Sequence, residues 1–283
     1  MTAQIINGKE LSQKKREEMK IEVETLRKQG ITPGLAVIIV GTDPASQTYV
    51  RGKQRACEEI GIQSLLIEMK ESTTEAQLIA KIDELNKEDS IDGILVQLPL
   101  PSQINEQAII EKISPNKDVD GFHPINIGRM MTGQDCFLPC TPHGIIEMVK
   151  SKQIDIEGKH VVVVGRSNIV GKPVGQLFLN EHATVTYCHS RTNDLKAYTS
   201  QADILIAAAG KQHLIQGEYV KRGATVIDVG IHRLENGKLT GDVNFDEVKE
   251  KAAYITPVPG GVGPMTITML LHNTIQSAKR FRA

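Results

Sequence analysis

The chain has 283 residues, 40% of them hydrophobic, and a formal net charge of −1. That is enough for one large or two ordinary domains with a real core, and the balanced charge argues against a nucleic-acid partner, which calls for a basic excess or patch. No run of about 18 apolar residues is present to span a membrane. The opening stretch MTAQIINGKELSQKKREEMK has neither an apolar h-region nor a small-residue cleavage site, so it does not read as a secretory signal. The cysteines at 57, 136, 140 and 188 form no C-x-x-C pair, and reduced thiols in a cytoplasmic protein are expected.

Along the chain, LAVIIVG (35–41), SLLIEM (64–69) and GILVQLPLP (93–101) are short, nearly continuous apolar runs, with helical patterns at 45–60 and 74–88 between them. Continuous apolar strands separated by helices predict a parallel sheet covered on both faces. Residues 114–142 are rich in proline, glycine and short polar residues and mark the expected join between two units. Thr141 followed by Pro142 reads as an N-cap with proline at the first helical position, opening a helix over 142–151. The pattern then restarts with HVVVV (160–164), a helix at 171–181, TVTYC (184–188), DILIAAAG (203–210) and ATVIDVG (224–230). The final stretch, PMTITMLLHNTIQSAKRF, is a helix expected to pack back on the first unit. The predicted class is α/β, with domains at 1–140 (joined by the helix 264–283) and 141–263.

The second unit carries the stretch VVVVGRSNIVGKPVG. Gly165 ends a strand, and Gly171 and Gly175 lie in the turn and the first helical residues, where glycines let the backbone approach a pyrophosphate at a helix N-terminus. Ser167 stands where the second glycine of a G-x-G-x-x-G pattern belongs. An NAD site usually places an acid at the end of the second strand to bind the ribose 2′-hydroxyl. No acid occurs from His182 through Asn193; Ser190 and Arg191 stand there, with Arg166 in the first turn. Cations and a hydroxyl suit a 2′-phosphate, so the expected cofactor is NADP. Cys136, Cys140 and His143 lack an evident fourth ligand and read as ordinary residues, with no metal expected.

In the first unit, Tyr49 and Lys53 are spaced i, i+4 and share a helix face. Tyr-x-x-x-Lys also marks the short-chain dehydrogenases, but there it follows the nucleotide-binding glycines, whereas here it precedes them. Gln97 stands at the carboxyl end of a strand, where α/β sheets bind ligands, followed by prolines that fix the chain. DVDGFHP (118–124) offers Asp118 and Asp120, of which Asp118 reads as loop-shaping. TPVPGGVGPMT (256–266) is loaded with glycine and proline and open to a flat ligand. Three such loops beside a cofactor turn suggest a cleft. His123, His143, His189 and His232 read as structural, and Cys57 as a packed thiol.

At these residues the sequence closely resembles the bifunctional methylenetetrahydrofolate dehydrogenase/cyclohydrolases. PASQTYVRGK, DGILVQLPLP, DVDGFHP, PCTPHG, VVVGRSNIVGKP, TVTYCHSRT and PVPGGVGPMT occur in the family's order over essentially the whole chain. The resemblance implies two α/β domains flanking a cleft, the second Rossmann-like and binding NADP, usually in a homodimer. It implies that Lys53 is the catalytic lysine, that Gln97 supports it, that Tyr49 stacks on the folate and that Asp120 holds the pterin, with Ser46 in the supporting shell. Gly165, Arg166, Ser167, Ser190 and Ile231 match cofactor positions, joined by Gly171 and Arg191 on the reading above. Pro259, Gly260 and Gly261 match the loop near the folate. The implied substrates are tetrahydrofolate derivatives. The alternatives are a dehydrogenase without cyclohydrolase activity, against which an intact Lys53 and Gln97 argue, and a non-catalytic nucleotide sensor, which has no use for a full set of folate-facing residues.

Overall fold

Parallel β-pairing organises both halves of the chain, as the continuous apolar runs predict. The computed structural model describes residues 2–282. In chain order its elements begin with β1 (Gln4–Ile5), α1 (Gly8–Lys28), β2 (Gly34–Val40), α2 (Pro44–Ile60), β3 (Gln63–Met69), α3 (Glu75–Lys87), β4 (Gly93–Val96), α4 (Glu106–Lys112), α5 (Pro124–Met131) and α6 (Cys140–Ser151). They continue with β5 (His160–Val164), α7 (Gly171–Asn180), β6 (Thr184–Cys188), α8 (Leu195–Thr199), β7 (Ile204–Ala207), β8 (Thr225–Asp228), β9 (His232–Arg233), β10 (Leu239–Thr240), α9 (Phe245–Val248), β11 (Tyr254–Ile255) and α10 (Val262–Arg282). Among the described residues, no helix is long and apolar enough to cross a membrane.

By its contacts the chain forms two units. One holds Lys14–Cys140 and the chain from Ile267 onward. Its parallel sheet has the order β3-β2-β4, and every residue of the central strand β2 is buried. Leu78, Ile82 and Leu85 of α3 pack with Ala36, Ile38, Ile94 and Ile109 in one core. Burying each such aliphatic side chain is worth about 1.5–3 kcal/mol over leaving it in water. Helix α3 starts in a capping box, in which Thr74 accepts from the Gln77 amide and Gln77 from the Thr74 amide. Helix α2 starts at Asp43, whose carboxylate accepts from the Ser46 amide at 2.7 Å, with Pro44 in its first turn, and it stops at Gly61 in the left-handed region.

The other unit holds the chain up to Gln13 together with Thr141–Thr266. Its sheet order is β1-β11-β8-β7-β5-β6, parallel throughout. The first strand of the run, β5, lies between β6 and β7, so the order reverses there. Ligands of such sheets bind outside the carboxyl ends of the strands at this reversal. Val162, Val164, Leu205, Ala207, Val226 and Ile255 form the core of one face.

Several details differ from the sequence reading. The opening residues, grouped there with the first unit, put β1 beside β11 on the six-stranded sheet. Helix α1 is not anticipated; its charged surface hides the buried stripe Met19, Val23 and Leu26. Helix α6 begins at Cys140, so Thr141 lies inside it rather than capping it. The Cys140 amide already has an acceptor in the Asp120 carbonyl at 3.3 Å, and the Thr141 hydroxyl pairs with that of Thr266 at 2.8 Å.

Candidate active site

Five of the expected residues lie in the unit built on β2, β3 and β4. Helix α2 carries Ser46, Tyr49 and Lys53. Ser46 is buried, Tyr49 is 43% exposed and Lys53 only 9%. The Lys53 amine donates to Gln97 Oε1 at 3.0 Å. Gln97 is fixed from two further directions. Its backbone amide extends the β4 ladder by donating to the Ile38 carbonyl at 2.8 Å, and its Nε2 donates to the Leu98 carbonyl at 2.7 Å. The strand ends there because Pro99 and Pro101 cannot donate to a neighbour.

Burial shifts Lys53 toward the neutral amine. It lowers the Lys53 pKa, and the negative charge of Asp120 opposes this. Asp120 is half-buried, and among the described residues it forms no ion pair with Lys53. Burial pushes its carboxyl up, while Lys53 and Cys140 pull it down. The thiols are held protonated: burial drives Cys57 up to about 12 and Cys140 well above its ordinary range.

The loop that carries Asp120 is pinned on several sides. Asp118 is 2% exposed and accepts from the amides of Phe122 at 3.2 Å and His123 at 2.8 Å and from Asn126 Nδ2 at 2.9 Å. Burial raises its pKa to about 7 against these donors. It shapes the loop, as the sequence suggests. Gly121 adopts φ +75°, and a Cβ there would lie 2.6 Å from the Leu138 carbonyl carbon. Sequence reasoning misses two residues that close this loop. The Cys140 thiol donates to the Val119 carbonyl at 3.2 Å. Asn273 of α10, 3% exposed, donates to the carbonyls of Val119 at 2.9 Å and Leu138 at 3.0 Å. PCTPHG at least draws the eye to Cys140, but nothing local marks Asn273, which acts 154 positions away.

The remaining expected residues lie in the other unit. Gly165 follows β5 with φ +144°, and a Cβ there would fall 2.2 Å from the Ala208 carbonyl oxygen, so only glycine fits the turn. Ser167 Oγ accepts from the amides of Val170 and Gly171, both at 3.2 Å. It thereby satisfies two amides where the turn enters α7, whose N-cap residue is Val170. Arg166 and Ser167 are exposed. After β6, the His189 carbonyl accepts from the Thr192 amide at 2.9 Å, and the resulting turn presents Ser190 and Arg191 to solvent. Among the described residues, neither Arg166 nor Arg191 forms an ion pair. The first acid beyond the turn, Asp194, is engaged as the N-cap of α8, accepting from the Ala197 amide at 3.3 Å. Ile231 is 47% exposed just beyond β8. Pro259, Gly260 and Gly261 precede α10, and the Gly260 carbonyl accepts from the Lys9 amide at 3.0 Å.

These donors fit a dinucleotide with an added phosphate. A glycine turn opens a helix N-terminus at the point of strand reversal, and two arginines and two hydroxyls stand nearby with no internal anion to satisfy. In the lysine-bearing unit, the arrangement can exchange protons with a substrate through a buried amine and accept paired N–H donors on a carboxylate.

Comparison with known proteins agrees with both halves. A family model described as "Tetrahydrofolate dehydrogenase/cyclohydrolase, catalytic domain" matches residues 6–120. Its companion, "Tetrahydrofolate dehydrogenase/cyclohydrolase, NAD(P)-binding domain", matches residues 139–282. The Bifunctional protein FolD of Bacillus anthracis is 67% identical over 280 residues, 99% of this chain and 98% of that protein. Among solved structures, the bifunctional methylenetetrahydrofolate dehydrogenase/cyclohydrolase of Campylobacter jejuni superposes with a TM-score of 0.97 at 54% identity, covering 98% of this chain and 99% of that one. The enzyme of Trypanosoma brucei, solved with NADP cofactor and an inhibitor, superposes with a TM-score of 0.96 at 41% identity over 100% of both chains.

Proposed function

Because the chain belongs to the tetrahydrofolate dehydrogenase/cyclohydrolase family, we propose that it carries out two consecutive steps on one reduced folate. The enzyme oxidises 5,10-methylenetetrahydrofolate to 5,10-methenyltetrahydrofolate with NADP and hydrolyses the product to 10-formyltetrahydrofolate. The observation that carries the assignment of residues is the buried Lys53 amine held by Gln97 at 3.0 Å beside Asp120.

The hydrolytic step needs proton transfers: water sheds a proton as it attacks the methenyl carbon, and a ring nitrogen gains one as the ring opens. A lysine serves both if its pKa is drawn toward neutrality, and burial and a cationic substrate both act in that direction. Gln97 positions the amine without adding the charge by which a carboxylate would lock it as ammonium. Asp120 accepts the adjacent N–H donors of the aminopyrimidinone edge, and the exposed ring of Tyr49 offers a flat surface to the folate rings. Ser46 supports this face of α2, and Pro259, Gly260 and Gly261 supply a low-bulk loop to the same substrate.

NADP, when bound, supplies the hydride acceptor. The folate nitrogens stabilise the cation left by hydride loss, so no base is required and the demand on the protein is alignment. Gly165 and Gly171 open the pyrophosphate turn, Ser167 donates its hydroxyl there, and Ile231 borders the same edge of the sheet. Arg166, Ser190 and Arg191 receive the 2′-phosphate. Ser46, Tyr49, Lys53, Gln97 and Asp120 belong to the 1–140 domain, which the C-terminal helix 264–283 joins, and the NADP residues and the loop of Pro259, Gly260 and Gly261 to 141–263. A homodimer in the cytoplasm completes the proposal, supported by the family resemblance and by four free thiols. The purified protein should reduce NADP⁺ with methylenetetrahydrofolate and, without cofactor, accelerate decay of methenyltetrahydrofolate absorbance. Absence of the first activity defeats the dehydrogenase reading, and absence of the second defeats the role of Lys53.

A further inference from the structure

Asp242 has no part in the chemistry above, yet it is 0% exposed. Its Oδ2 accepts from the amides of Ala209 at 2.6 Å and Gly210 at 2.9 Å, and its Oδ1 lies 2.8 Å from His232 Nε2. Ala209 and Gly210 follow β7 directly, and His232 follows Ile231 and opens β9. The two loops thus close on one carboxylate. Gly230, in the second loop, has no room for a side chain, because a Cβ there would lie 2.2 Å from Asp242 Oδ1. Below them sits Asp228, whose carboxylate accepts from the amides of Gly230 at 3.0 Å, Asp242 at 2.9 Å and Val243 at 3.0 Å. The first loop also borders the cofactor turn, since the Ala208 carbonyl occupies the space a Gly165 side chain would need.

Two consecutive amides beyond the carboxyl end of a strand form a ready-made anion site. Here an internal carboxylate fills it. The helix end at Ser167 is then left as the place for the cofactor's phosphates, and the loops after β7 and β8 are fastened to the sheet before any ligand arrives. Pre-fastening lowers the ordering cost of binding.

We propose that Asp242 is a positioning residue for the cofactor, an internal anion that locks Ala208–Gly210 and Val229–Ile231 at the carboxyl edge of the sheet, with His232 as its clasp. This rests on the dinucleotide reading of the unit. In the full-length protein, Asp242→Asn turns one acceptor toward its donors into a competing donor. NADP⁺ binding by calorimetry should weaken by about tenfold or more, and the Ala209 and Gly210 amides should exchange faster with solvent by a similar factor. Hydrolysis of methenyltetrahydrofolate without cofactor reports that the variant is folded. His232→Gln, which keeps a donor, should bind NADP⁺ better than His232→Leu. NADP⁺ affinity within twofold of wild type for Asp242→Asn, with accelerated loop exchange, would overturn the proposal alone. If Asp242→Asn does not fold, equal affinities of wild type and His232→Leu would overturn it. Wild-type protein that binds no NADP⁺ overturns the dinucleotide reading and the proposal with it.

Discussion

Lys53→Met is expected to lower methenyltetrahydrofolate hydrolysis by roughly a thousandfold, the scale of a lost general acid–base. Methionine preserves the length and the packing of the stem against α2 but cannot carry a proton. The same variant should be more stable than wild type. Burial lowers the lysine's folded-state pKa below its unfolded value, so the native state binds fewer protons between the two values. Stability therefore rises with pH through that window, and at neutral pH the lysine is a net cost. Methionine removes the cost, and thermal unfolding at pH 7 should show a raised Tm. A slow but stabilised variant separates loss of chemistry from loss of fold. Hydrolysis at the wild-type rate would remove Lys53 from the mechanism.

Replacing both Arg166 and Arg191 with alanine should raise KM for NADP⁺ by about thirtyfold while changing KM for NAD⁺ by less than about threefold. Charge-assisted hydrogen bonds are worth about 1.5–3 kcal/mol each, and solvent screening of both exposed side chains brings the pair down to about 2 kcal/mol in total, or about thirtyfold. Both arginines lack an internal carboxylate, and Asp194, the acid that might otherwise bind a ribose 2′-hydroxyl, is occupied in capping α8. Steady-state kinetics with the two cofactors checks this. Equal effects on both would show that neither arginine reads the 2′-phosphate.

The sequence exposes most of this architecture because its signals are local. The buried strand β2 is a continuous apolar run, and the Gly165 turn follows four valines. Lys53 and Tyr49 share a helical face by spacing alone. What it hides depends on contacts between distant segments. Strands β1 and β11 have two residues each, too few for a pattern, and exist because each pairs with a neighbour. Helix α1 shows its apolar period only once its charged majority is set aside. Asn273 reaches the Asp120 loop from the far end of the chain. Asp242 is one acid among many in composition, and only the fold places two backbone amides on its oxygen.

Whether Lys53 is an amine poised near neutrality is read most directly by a nitrogen NMR titration of its side chain in the full-length protein. The expected midpoint lies below the ordinary lysine value of 10.5, because desolvation is the largest influence on it. In Asp120→Asn the midpoint should fall further, since the negative charge that favours the ammonium form is gone. Wild-type hydrolysis should fall as the pH drops through the same midpoint, where the neutral amine is lost. A midpoint at or above 10.5, or one that rises in Asp120→Asn, would contradict the proton-transfer role assigned to Lys53.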